Sequence, residues 1–165
     1  EMARAVYESV DKRAQAARYL RELLLKHRDA ARQRYAAPFV AALSRLARTV
    51  YGGDITFDLD DDLRVTTRTQ DNETVGLASL SGGAREQLAI LTRFAIAQLV
   101  GPESVPVIVD DALGSTDARR LQLMATLFSH VGRDNQVLVF TCMPERYSRV
   151  PGRSERDIAA LKGVI

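Results

Sequence analysis

Ser81, Gly82 and Gly83 stand directly before a helical run in the stretch LASLSGGAREQLAIL, Leu77 to Leu91. Serine is a good helix N-cap, and two glycines let backbone come close to a ligand. The free N–H groups and dipole of a helix start favour an anion, a phosphate above all. The same residues also read as a plain turn capping a buried helix. Further on, VPVIVDD closes a short apolar run with Asp110 and Asp111. Carboxylates at the C-terminal end of a parallel strand lie where α/β proteins place their sites. Asp110 is suited to hold Mg²⁺, directly or through water, and Asp111 to polarise an attacking water. Strand-end solvation with helix capping is the alternative. Adjacent like charges are costly without a cation or several donors nearby, which favours the metal.

These residues need elements to position them. The chain of 165 residues is one domain's worth, 46% hydrophobic and 27% charged, as in ordinary globular proteins. Its net charge of +2, from 23 basic and 21 acidic residues, argues no nucleic-acid partner by itself. Arginine supplies almost all of the basic side. One cysteine, Cys142, excludes an internal disulfide; a packed core thiol in a reducing cytosol is expected. No apolar run reaches the roughly 20 residues of a membrane span, and no signal peptide is visible. The start at Glu1 reads as a piece of a longer protein.

From Met2 to about Tyr35 there is no glycine or proline, and strong helix formers dominate. Val6, Val10, Ala17, Leu20, Leu24 and Ala31 recur at near-heptad spacing, interrupted by Arg13 and His27. A packed helical arm is expected rather than an autonomous coiled coil. Pro38 permits a kink or a fresh helix start. A second helix, Phe39 to Val50, would then carry Val40, Leu43, Leu46 and Val50 on one face and stop at Gly52–Gly53. The expected division is a helical arm over 1–50 and a lobe over 51–165. A β-hairpin follows, with strands Ile55–Leu59 and Leu63–Thr69 and turns at Asp60–Asp62 and Asp71–Asn72. The acidic triplet reads as a solvated turn. A helix to about Val100, a buried strand in VPVIVDD, an amphipathic helix in STDARRLQLMATLFSHV and a second buried strand in NQVLVFTC make a right-handed parallel βαβ unit. His27 and His130 have no metal-spaced partner. The last twenty residues carry Pro144, Pro151 and Gly152 and no readable element.

The order LSGGAREQ, helix, VPVIVDD, GSTD resembles the second half of an ABC-type ATPase head. Leu80–Gln87 matches its signature motif, and Val105–Asp111 looks like Walker B. Gly114–Asp117 resembles the D-loop, and VLVFT the strand before the switch residue. The resemblance covers about Leu77 to Met143. It implies an α/β fold of P-loop NTPase type: the C-terminal lobe of the head, a parallel βαβ core with a preceding β-hairpin and a long N-terminal arm. A helical arm and a hairpin before the signature are similar to the SMC-like, coiled-coil branch, which includes RecF-, RecN- and YhaN-type ATPases. The arm would be the returning end of a coiled coil.

The resemblance implies ATP and Mg²⁺ as ligands and a homodimer that sandwiches two nucleotides head to tail. Ser81, Gly82 and Gly83 would meet the γ-phosphate of the partner's ATP. Asp110 would take the magnesium position, Asp111 that of the catalytic glutamate, and Asp117 the D-loop contact besides capping a helix. Arg85 would lie near the nucleotide sugar or phosphates, or on a solvated helix face. Gln87 would face the nucleotide or the helix surface. Two departures stand out. Met143 falls where a switch histidine is frequent, and a thioether binds phosphate poorly. No G-x-x-x-x-G-K-[ST] occurs, so the phosphate cradle is expected on an N-terminal lobe carrying Walker A. This chain alone is expected to be inactive. DNA is implied as a partner by the family only. The alternative is a degenerate head serving as a dimerisation module.

Overall fold

The computed structural model describes residues 2–100 and 105–161. One helix, α1, runs unbroken over Met2–Tyr51, with Pro38 inside it. At 1.5 Å per residue it is about 75 Å long. The expected fresh start at Pro38 is therefore corrected. Pro38 lacks an N–H for the Arg34 carbonyl, but it lies exposed at the edge of the core, where water can satisfy that carbonyl. Strong helix formers on both sides carry the helix through.

α1 changes character along its length. Val6, Tyr7, Val10, Tyr19, Leu20 and Leu24 are exposed. From Phe39 onward the helix enters the core, where Leu43, Leu46, Ala47 and Val50 are buried. Gly52, at φ +70°, ends it.

Three antiparallel strands follow: β1 (Ile55–Leu59), β2 (Val65–Gln70) and β3 (Glu73–Gly76), in that spatial order. The expected hairpin is thus a meander. Its second strand starts at Val65 rather than Leu63, because Asp60 Oδ1 accepts the backbone N–H groups of Asp62 and Arg64, both at 2.9 Å. That side-chain turn holds Leu63 at φ +61°. Asp71 and Asn72, at φ +50° and +66°, form the second turn with the paired left-handed residues of a type I′ hairpin.

The second layer is parallel. α2 (Gly82–Leu99) leads to β4 (Val107–Asp110), α3 (Ala118–Val131) and β5 (Val137–Phe140), with β4 and β5 paired in parallel from Val107↔Val137 to Asp110↔Phe140. A four-residue helix, α4 (Ile158–Leu161), closes the described chain. Phe94 of α2 and Phe128 of α3 meet edge to face at 5.2 Å between centroids, and Phe128 meets Tyr147 at 5.8 Å.

The two parallel strands were expected to be buried, and this is corrected. Val107 and Val109 face the core, but Ile108, Leu138 and Phe140 are 55%, 38% and 45% exposed. A parallel sheet needs both faces covered, and the described residues cover one. Among them, no helix is long and apolar enough to cross a membrane.

Candidate functional site

The start of α2 is built as an open cap. Ser81 precedes it with extended backbone, and its Oγ accepts the Ala84 N–H at 3.3 Å. Its hydroxyl proton and second lone pair are left for another partner. The two glycines have different tasks. A Cβ on Gly82 would meet nothing within 4 Å, and its φ is not left-handed, so neither space nor backbone requires glycine there. A Cβ on Gly83 would lie 2.3 Å from the Ser115 carbonyl oxygen. Gly83 is an internal packing residue, and of the two glycines expected to open backbone to a ligand only Gly82 borders open space.

The first two turns of α2 clamp the 114–117 loop. Besides Gly83, the Glu86 carboxylate accepts the Ser115 N–H at 3.5 Å, and Gln87 Nε2 donates to Thr116 Oγ1 at 3.1 Å. Gln87 is only 1% exposed, which corrects the expectation of a ligand-facing or surface position in this chain. Its Oε1 is buried without a partner among the described residues. Arg85 is exposed. Sequence reasoning missed Glu86, Ser115 and Thr116. The signal was the Gly-Gly pair itself, one of which had to admit a neighbour's backbone.

Asp117 caps α3, its Oδ1 accepting the Arg120 N–H at 2.9 Å. That hydrogen bond, with the Arg120 charge, holds its carboxyl below the ordinary value of 3.8. The side chain remains exposed.

The acidic pair sits at the C-terminal end of β4, as the spacing predicts. Asp110 is exposed. Asp111 extends the ladder through its N–H to the Phe140 carbonyl at 2.8 Å, then turns the chain at φ +37°. That left-handed conformation is costly for a non-glycine residue. It aims the carboxylate at the end of β5, where Oδ1 accepts Thr141 Oγ1 at 3.3 Å and Cys142 Sγ at 3.5 Å. Cys142 is exposed, not a core thiol: β5 ends at Phe140, and the cysteine lies in the turn beyond it. Thr141 Oγ1 also accepts the Met143 N–H at 3.0 Å, and Met143 is 39% exposed. Tyr147 donates to the Ala112 carbonyl at 2.8 Å and so ties the two strand ends together, while burial pushes its hydroxyl pKa up.

No cluster of three or more His, Cys, Asp or Glu is placed to hold a metal among the described residues. Two exposed carboxylates still fit Mg²⁺, which is commonly bound by one or two carboxylates together with substrate phosphates.

No family model matches the chain. Uncharacterized proteins of Mycobacterium bovis and of two Mycobacterium tuberculosis strains are 47% identical to it over 163 residues. The match takes in 98% of this chain and 19% of each relative, so the chain spans about a fifth of the length of the curated relatives it matches. Among solved structures, an Smc head domain with coiled coil and joint from Pyrococcus yayanosii aligns with TM-score 0.61 at 18% identity, over 82% of this chain and 28% of that one. A structure from work on ATP-driven dimerization and DNA-stimulated activation of SMC ATPases gives 0.59 at 18%, over 79% and 84%. An Smc head bound to the C-winged helix domain of ScpA gives 0.55 at 17%, over 71% and 38%. These likenesses show the fold: a long N-terminal helix, an antiparallel sheet and a parallel strand pair, as in the C-terminal lobe of SMC heads.

Proposed function

Because the chain has the fold of SMC ATPase heads, we propose that it is the C-terminal lobe of an SMC-like ABC-type ATPase. Its 1–50 segment is a coiled-coil arm with the last turns embedded in the lobe, and 51–165 carries the site. The RecF-, RecN- and YhaN-type ATPases are the branch it fits. The protein is cytoplasmic, and its heads dimerise head to tail around ATP and Mg²⁺. Hydrolysis drives a conformational change used in DNA repair or chromosome maintenance.

Each residue has a task in this reading. Ser81 and the open Gly82 backbone present donors to the γ-phosphate bound on the partner head. Gly83, Glu86 and Gln87 fix the signature helix to the D-loop, so the two move as one surface. Arg85 lies on the nucleotide side and Asp117 on the partner side of that surface. Asp110 and Asp111 serve their own head: Asp110 as a magnesium ligand, Asp111 by orienting the attacking water. Magnesium, when bound, neutralises charge at the phosphates. The exposed Ile108, Leu138 and Phe140 form the face that an N-terminal lobe carrying Walker A would cover.

The observation that carries the reading is the contrast at Gly82 and Gly83. One glycine is explained by internal packing; the other stands at an open helix start with no internal reason to be glycine. Ser81→Arg in the full-length protein tests it, since a long side chain would block the capped end. Loss of ATP-dependent dimerisation and turnover is expected; wild-type behaviour would overturn the assignment.

A second reading is a head that dimerises without efficient hydrolysis. Met143 at the switch position and the engagement of Asp111 by Thr141 and Cys142 favour it. Asp111→Asn separates the two: a large drop in turnover supports an active site, and unchanged turnover supports the degenerate head.

A further inference from the structure

A cleft of about 530 Å³ lies between the end of α1, the face of β2 and the start of α3. Four arginines line it, Arg48, Arg68, Arg119 and Arg120, against a single acidic residue, Asp117. Arg120 and Asp117 pair at 3.7 Å, and that carboxylate is already engaged as the α3 cap. Arg48, Arg68 and Arg119 have no ion-pair partner among the described residues. Arg68 and Arg120 both lie over the Tyr51 ring, at 5.3 and 5.7 Å from its centroid. Arg68 Nε is buried with no hydrogen-bond partner among the described residues. Like charges gathered in one cleft repel unless an anion joins them, and a buried N–H without an acceptor costs free energy.

We propose that this cleft binds a small phosphate-bearing anion, with two or more negative charges, such as a diphosphate or the polyphosphate of a nucleotide. Arginine forks match phosphate oxygens in geometry as well as charge. The volume is that of a small-molecule site, and the arginines share one bounded cleft, two of them over the same Tyr51 ring, instead of lining the extended track that a nucleic-acid strand needs. Ser81, Gly82 and Gly83 do not line the cleft, although Asp117 borders both it and the signature surface. The cleft is linked to the open cap at Ser81 through Tyr51, whose hydroxyl donates to the Ala84 carbonyl at 3.4 Å.

The test is calorimetric titration of the full-length protein with inorganic pyrophosphate, ATP and a single-stranded oligonucleotide. Wild type, Arg119→Gln, Arg68→Gln/Arg119→Gln and Ser81→Arg are compared. Pyrophosphate should bind about tenfold more weakly to Arg119→Gln, the loss of one charge-assisted contact, and more weakly still to the double variant. Arg119 is exposed, so its single variant keeps the fold, and Arg119→Lys should recover part of the loss. Ser81→Arg should bind pyrophosphate as wild type does, so failure here is distinct from failure of the dimer reading. A second ATP site, beyond the one at Walker A, that weakens in parallel assigns the anion to a nucleotide; pyrophosphate alone weakening assigns it to an inorganic ligand. Equal pyrophosphate binding by wild type and the double variant, no pyrophosphate binding at all, or arginine-dependent binding of the oligonucleotide only would overturn the proposal.

Discussion

Gly83→Ala and Gly82→Ala change the same atom type at neighbouring positions and should have opposite consequences. A Cβ at Gly83 would meet the Ser115 carbonyl oxygen at 2.3 Å and its carbonyl carbon at 3.1 Å. Both are backbone atoms, so no flexible side-chain end can swing away. The 114–117 loop or the start of α2 must shift, straining the hydrogen bonds that Ser115 N–H donates to Glu86 and Gln87 donates to Thr116 as well. Overpacking of this kind costs about 1–3 kcal/mol. For a domain of this size that corresponds to a fall of roughly 2–12 °C in Tm. Gly82→Ala meets open space at the first helical position, where alanine is the better helix former, and should be neutral or stabilising by up to about 1 kcal/mol. The assays are thermal melting and urea unfolding of the full-length protein, with ATP turnover alongside. Gly83→Ala should lose stability. Gly82→Ala should keep stability and lose turnover. Equal stabilities, or a Gly82→Ala variant with wild-type turnover, would refute the division of labour between the two glycines.

Two further outcomes follow from the packing and the caps. Phe94→Ala empties a site that is 0% exposed and edge-on to Phe128, and should destabilise by about 3–5 kcal/mol in urea titration; a loss below 1 kcal/mol would contradict the core assignment. Asp117→Asn keeps a capping oxygen but removes the charge. Because the folded carboxyl titrates below its unfolded value, its stabilising contribution is present above the unfolded value and is lost as pH falls through the folded one. Melting curves from pH 7 to pH 2 should show the gap between wild type and Asp117→Asn closing only in the acid range. A gap independent of pH would contradict the charge effect.

The sequence made the helices and their caps readable because capping is local: Ser81 and Asp117 announce α2 and α3 by residue type and position. The acidic pair at the end of β4 was readable for the same reason. Pro38 misled, since whether proline breaks a helix depends on whether the freed carbonyl reaches water, which is a matter of burial. The β4–β5 pair read as buried because a valine-rich run is the same whether its cover lies in this chain or in another. Gln87 is misplaced by a contact across 29 residues of sequence, to Thr116, that no local pattern encodes, and Cys142 because β5 ends at Phe140, before reaching it. The arginine cleft gathers residues from α1, β2 and α3, and its members look like ordinary surface charges when read along the chain.

The central claim is that the site is shared between heads, with Ser81 acting on the partner's nucleotide and Asp111 on its own. Mixing the Ser81→Arg and Asp111→Asn full-length proteins tests it most directly. Each variant alone should be inactive. A mixed head-to-tail dimer contains one site with both residues intact, so random mixing should recover up to about a quarter of wild-type ATP turnover. A mixture as inactive as its parents, or a Ser81→Arg protein as active as wild type, would contradict the account.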